Sequence, residues 1–120
     1  TENPNTGVVA GGDLIGASTF VSAIDGDLPT LDALNATGLD ASAVGNHEFD
    51  KGIDDLLNRV IPRAEFDYLA RTSTATASVR CRLLRRGHRR RAGRYIGVVT
   101  AQTGELVSPD GIRGVEFRDR

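Results

Sequence analysis

Short apolar runs alternate with longer amphipathic stretches along most of this chain. Gly7 to Ala10 is an apolar run that halts at Gly11-Gly12-Asp13, which reads as a buried strand ending in a tight turn. Ile15 to Ile24 mixes apolar and small residues and predicts a helix. Pro29 to Gly38 has proline near its start and glycine at its end, the asymmetry expected of a short helix. Asp40 to Val44 predicts a second strand, stopped by Gly45-Asn46-His47-Glu48. From Gly52 to Ala64, residues Ile53, Leu56, Leu57, Val60 and Ile61 recur at helical spacing and predict an amphipathic helix. Phe66 to Ala70 and Tyr95 to Val99 predict a third and a fourth strand. Strands and helices alternate, so the expected class is α/β with a mainly parallel sheet.

Composition narrows the class without naming a function. At 120 residues, 39% hydrophobic and 26% charged, the chain suits one soluble globular domain. No apolar run of about 18 residues is present, so no membrane span is expected. Thr1 opens no basic-then-apolar leader, and no signal peptide is expected in this chain. The chain contains no methionine, so Thr1 is not expected to be the biological start. Cys81 is a lone cysteine, which excludes an internal disulfide and any multi-cysteine metal site.

The formal net charge of -1 hides an asymmetry. Nine of the 15 cationic residues lie between Arg71 and Arg94 with no acid among them, leaving six against all 16 acids elsewhere. The stretch Arg71 to Gly93 also lacks apolar periodicity and turn chemistry.

Two turns carry the candidate chemistry: Gly11-Gly12-Asp13 and Gly45-Asn46-His47-Glu48. Each follows an apolar strand, and ligands in open α/β sheets bind beyond the carboxyl ends of strands. Both turns are therefore expected to deliver polar side chains to one edge. Asp13 offers a carboxylate, Asn46 a carbonyl oxygen and His47 an imidazole. Oxygen donors of this type suit hard divalent ions, and imidazole suits transition metals. The plain alternative is that Asp and Asn in turns bond their own backbone. Asp40, Asp54 and Asp55 read as solvated helix or turn acids.

Two segments then become specific. Val9-Ala10-Gly11-Gly12-Asp13-Leu14-Ile15-Gly16-Ala17-Ser18 and Ala43-Val44-Gly45-Asn46-His47-Glu48-Phe49-Asp50 resemble the second and third motifs of calcineurin-like metallophosphoesterases. Thr30-Leu31-Asp32-Ala33-Leu34-Asn35 and Gly52-Ile53-Asp54-Asp55-Leu56 resemble the bacterial 5′-nucleotidase and 2′,3′-cyclic-nucleotide phosphodiesterase branch. The resemblance covers Asn3 to Ala70 and Tyr95 to about Phe117.

What the resemblance implies can be placed residue by residue. Asp13 matches the carboxylate that bridges two metal ions, and Asn46 a ligand of one of them. His47 matches the histidine that contacts the phosphate or protonates the leaving oxygen. Glu48 and Asp50 are expected to orient the loop from behind, with a purely structural role equally open. The implied cofactor is a pair of divalent ions, from Zn, Mn, Fe, Mg or Co. The implied substrate is a nucleotide or another phosphate monoester or diester. The implied fold is a β-sandwich flanked by helices, of which this chain is an incomplete part. The implied setting of the parent protein is secreted, periplasmic or on the cell surface.

The family's pattern is not complete here. Its Asp-x-His motif should precede Gly7, and Thr1 to Thr6 lacks it. A later lone His and a Gly-His-x-His motif should follow, yet His47 and His88 are the two histidines of the chain. His88 stands among cations that would repel a metal and is rejected as a ligand. The family's nucleotide-gripping domain is also absent. Alone, the chain is expected to lack appreciable phosphoesterase activity.

The Arg-rich stretch admits two readings. As a genuine insertion it would bind polyanions, although no aromatic residue is interleaved to stack on bases. That gives the competing hypothesis of a non-catalytic polyanion-binding α/β protein. As a misread frame it needs no function. Codon families for Arg71-Thr72-Ser73-Thr74, taken one base earlier, permit Ala-Asn-Val followed by Asp or Tyr, an ordinary continuation for this family. Tyr95-Ile96-Gly97-Val98-Val99-Thr100 resembles the family again. The misread frame is the favoured expectation, and nucleic acid is not an expected partner.

Overall fold

A computed structural model of the chain describes residues 6–70, 87–88, 91–92, 95–115 and 117. Strands β1 (Val9–Ala10), β2 (Ala41–Ala43) and β3 (Asp67–Leu69) form a parallel sheet in that order. Val9 pairs with Ala41, Ser42 with Tyr68, and Ala43 with Leu69. The sheet's connections are helical, as parallel pairing requires. Helix α1 (Phe20–Ala23) and helix α2 (Leu28–Thr37) lie between β1 and β2. A 3-10 turn (His47–Phe49) and helix α3 (residues 53–63) lie between β2 and β3. A two-stranded antiparallel pair, β4 (Gly87–His88) with β5 (Arg91–Ala92), and helix α4 (Thr103–Leu106) complete the described elements.

Each helix follows its local chemistry. Helix α2 has proline in its first turn, and its chain leaves through Gly38 at φ 71, a left-handed residue that lets two orphan carbonyls be met. Helix α3 begins as an α turn at Ile53–Asp55, widens to π geometry over Leu56–Val60 and closes as an α turn at Ile61–Arg63. Pro62 accounts for the widening, since its ring lacks an N–H and clashes with the carbonyl four residues back. The buried positions of α3 are Ile53, Leu56 and Val60, with Leu57 and Ile61 half-buried, as the spacing predicted.

The core lies between one sheet face and helices α2 and α3. Leu31, Phe49, Leu56 and Val60 are fully covered, and Val44, Phe66 and Tyr68 join them. Phe117 closes edge-on against Phe49, with ring centres 5.7 Å apart. The loop after α4 is tied in by the Ile53 N–H, which donates to the Gly111 carbonyl at 2.9 Å. The opposite sheet face borders a cavity of about 420 Å³, lined by Val9, Ala41, Leu69, Tyr95, Ile96 and Val98 among others. None of the described helices is long and apolar enough to cross a membrane.

Two expectations need correction. Ile15 to Ile24 is not one helix, because only Phe20–Ala23 turns helically. Residues before it form an open loop with Gly16 at φ 83, a conformation that an L-residue helix cannot continue. Tyr95 to Val99 is not a strand. It lies over the sheet face, and a Cβ on Gly97 would overlap the Leu69 carbonyl oxygen. A backbone laid over a face has no edge along which to build a ladder. The Arg-rich stretch Arg71 to Gly93 falls almost wholly outside the described residues. His88 is described only in its backbone.

Replacing Leu56, which is 0% exposed, by alanine should lower unfolding free energy by about 2–5 kcal/mol in urea titration. Leu106→Ala, at a 62% exposed position, should change it by less than about 0.5 kcal/mol.

Candidate metal and phosphate site

The two motif-bearing turns meet at the carboxyl ends of β1 and β2, as adjacent parallel strands require. Their contact is backbone on backbone. A Cβ on Gly12 would stand 2.6 Å from the Gly45 nitrogen, and Gly12 has φ 100. Gly45 in turn packs against Asp13 so closely that a Cβ there would overlap its carboxylate. These glycines are what allow both loops to reach one place.

Glu48 joins the turns from beneath. Its side chain is 2% exposed. One carboxylate oxygen accepts the Asp13 N–H at 2.9 Å and the Gly45 N–H at 2.6 Å. The other accepts the Leu14 N–H at 2.7 Å. Burial pushes the Glu48 carboxyl above its ordinary value, against the downward pull of the Leu14, Asp13 and Gly45 amides.

Asp13 stands above this junction, exposed, with left-handed backbone at φ 55. Its Oδ1 accepts the His47 N–H at 3.0 Å, so the first turn grips the second directly. His47 and Asn46 are half-buried beside it. The Asn46 side chain has no hydrogen-bond partner among the described residues, which leaves its amide oxygen available. His47 Nδ1 lies 2.8 Å from Asp50 Oδ2. An ionised carboxylate can only accept, so Nδ1 carries the proton and Nε2 is directed elsewhere. The Asp50 hydrogen bond, opposed by partial burial and aided by the charges of Asp50, Asp13 and Glu48, raises the His47 pKa above its ordinary value.

A second buried carboxylate, Asp27, was not singled out in the sequence. It is 1% exposed and takes hydrogen bonds from the Ser18 hydroxyl and from Lys51 Nζ, the latter at 3.0 Å. Burial alone would raise its pKa, but Ser18, Lys51 and the Gly16 amide together hold it below the ordinary carboxylate value. Sequence carried no signal for it, because an acid one residue before Leu28-Pro29 reads as a helix cap. In the structure Asp27 makes no side-chain cap bond at all.

As a metal site the donor set is partial. Asp13 and Asn46 bring one carboxylate and one amide oxygen, the hard donors that Mg, Mn or Ca accept. Among the described residues no group of three or more His, Cys, Asp or Glu could hold an ion by itself. The residues present therefore fit one wall of a divalent site.

No family model matches the chain. Endonuclease YhcR of Bacillus subtilis is 32% identical to it over 134 residues, covering 98% of this chain and 11% of YhcR. A 5′-nucleotidase of Rattus norvegicus is 32% identical over 69 residues, covering 58% of this chain and 12% of the rat protein. The crystal structure of the calcineurin-like phosphoesterase YfkN from Bacillus subtilis superposes with TM-score 0.67 at 27% identity, over 98% of this chain and 42% of YfkN. A proposed 5′-nucleotidase from Staphylococcus aureus superposes with TM-score 0.76 at 21% identity, over 92% of this chain and 22% of that one, a likeness of fold. The chain thus spans less than half the length of each of these proteins.

Glu48→Gln should destabilise the chain by about 1.5–3 kcal/mol in urea titration, because an amide nitrogen replaces one oxygen facing backbone donors. The raised His47 pKa also sets a pH dependence. Stability from its protonated form should be fully present below the ordinary histidine value of 6.5 and be lost as pH rises through the higher folded value. An NMR titration of the His47 ring in metal-free buffer should show this elevation, and Asp50→Asn should reduce it.

Proposed function

We propose, from the premise that this chain belongs to the calcineurin-like metallophosphoesterase superfamily, that it supplies one wall of the active site of a metal-dependent hydrolase of nucleotide phosphate esters. The observation that carries the reading is the junction of two strand-terminal turns. Through Glu48 and the Asp13–His47 hydrogen bond, it gathers a carboxylate, an amide oxygen and an imidazole at one sheet edge.

Asp13 and Asn46 would hold divalent ions. When bound, such ions supply charge neutralisation for the phosphate and a lowered pKa for water. The protein's own part is to place the remaining groups. His47 is anchored at Nδ1 by Asp50, so its Nε2 is free to hydrogen-bond a phosphate oxygen or to give a proton to the leaving oxygen. The raised pKa of His47 favours the protonated, donating form. Glu48 and Asp50 touch no substrate in this reading: Glu48 sets the turns and Asp50 sets the imidazole. The remaining metal ligands and the nucleotide-selecting surface come from outside the described residues. A location outside the cytoplasm belongs to the same reading.

The test uses hydrolysis of p-nitrophenyl phosphate and of AMP with added Mn²⁺, against an EDTA control. In the full polypeptide that carries this chain, His47→Ala should lower kcat by roughly 10²–10⁴-fold with an unchanged circular-dichroism spectrum. Equal rates in wild type and His47→Ala would remove the role given to His47. The 120-residue chain alone should show no Mn²⁺-dependent turnover above its own His47→Ala variant, and turnover there would refute the incomplete-site reading.

A further inference from the structure

We infer that Asp27 is a positioning residue for His47, an inference that rests on the phosphoesterase reading of the site. Asp27 is buried at 1% exposure and holds a left-handed backbone at φ 66, a conformation uncommon outside glycine though aspartate is among the residues that enter it. Strained, buried and charged positions persist where the surroundings over-determine them, and such positions gather around functional sites. A helix cap does not account for it, since no side-chain cap bond to α2 forms.

Its partners are drawn from both site-bearing loops. Ser18 lies on the loop that continues from Asp13, and its hydroxyl donates to Asp27 Oδ1. Lys51 follows Asp50 directly, and its Nζ donates to Asp27 Oδ2 at 3.0 Å. The pair is lopsided: Lys51 is 45% exposed, whereas Asp27 is 1% exposed. A surface cation thus reaches inward to a fixed anchor, and the segment that bears Asp50 is drawn towards the loop that bears Gly16.

Gly16 is where that traction meets the histidine. A Cβ on Gly16 would stand 2.5 Å from the His47 carbonyl oxygen and 2.6 Å from Asp50 Oδ2. The Gly16 backbone is therefore a wall behind both members of the His47–Asp50 pair. Its amide is also turned towards the Asp27 carboxylate. Asp27 holds the wall through Ser18 and Gly16, and holds the Asp50 end through Lys51. With both ends fixed, Asp50 Oδ2 stays 2.8 Å from His47 Nδ1, and the imidazole keeps one orientation. Glu48 determines that the turns meet, and Asp27 determines how the histidine is presented on them.

The test compares Asp27→Asn, Lys51→Met and Leu31→Ala in the full polypeptide. Asp27→Asn keeps size and an acceptor but removes the charge. Lys51→Met cuts the same tie from the solvent side without emptying the core. Leu31→Ala is a control for lost stability in a residue remote from the chemistry, assayed well below its melting temperature. With p-nitrophenyl phosphate and Mn²⁺, both clamp variants should lose about tenfold or more in kcat with KM within about twofold, as expected of misplacement rather than lost binding. The control should stay within about twofold of wild type. Hydrogen exchange of the His47 amide should quicken in both clamp variants while the β2 amides keep their protection. If kcat falls no further than in Leu31→Ala, or falls without faster exchange at His47, the inference is overturned. If wild type hydrolyses nothing, the phosphoesterase reading fails, and exchange at His47 alone decides whether the clamp exists.

Discussion

Three backbone amides converge on one carboxylate, and the arrangement of the site depends on that convergence. Glu48 takes the Asp13 and Leu14 N–H groups from the first turn and the Gly45 N–H from its own. Turns at strand ends leave donors without ladder partners, and buried donors are costly unless met. A single acid on the second turn meets three at once. Hydrogen bonds to an ionised acceptor are the strong kind, and the shielding of Glu48 keeps water from competing. Burial makes the same carboxylate harder to ionise, so the junction balances desolvation against amide dipoles.

That junction rests on the scaffold beneath it. Parallel pairing in the order β1, β2, β3 sets the ends of β1 and β2 side by side. Helices α2 and α3 return the chain across one face and bury it with Leu31, Leu56 and Val60. Bare backbone at Gly12 and Gly45 then lets the turns touch. The chemistry-bearing side chains stand on the rim of this arrangement, where Asp13 and Asp50 are exposed and Asn46 and His47 half-buried. The core beneath them is apolar, and the polar contacts that orient them lie in the layer between.

The layer holds two buried acids with different neighbours. Glu48 is surrounded by backbone amides, and Asp27 by a hydroxyl and a lysine. The first joins turn to turn, whereas the second joins loop to loop one step further from the strands. Each has its ionisation moved in the direction its surroundings dictate, upward for Glu48 by burial and downward for Asp27 by its donors.

Sequence by itself determined the elements that local rules control. Helix α2 was legible from Pro29 and Gly38, α3 from the spacing of Ile53, Leu56 and Val60, and the first three strands from apolar runs, the first two of them ended by glycine. It also set Asp13, Asn46 and His47 in two turns that follow strands, because glycines mark where β1 and β2 stop. Tertiary structure decided what depends on distant partners. Residues 15 to 19 are loop rather than helix because they wrap the His47 turn, and Tyr95 to Val99 lies over the sheet instead of joining it. Asp27 and Lys51 are 24 residues apart in sequence, so no local pattern could mark them as a pair. A periodic side-chain pattern reports only which face of one element is apolar. Which buried charge meets which amide is set by the packing of several elements at once, and only the folded chain contains that information.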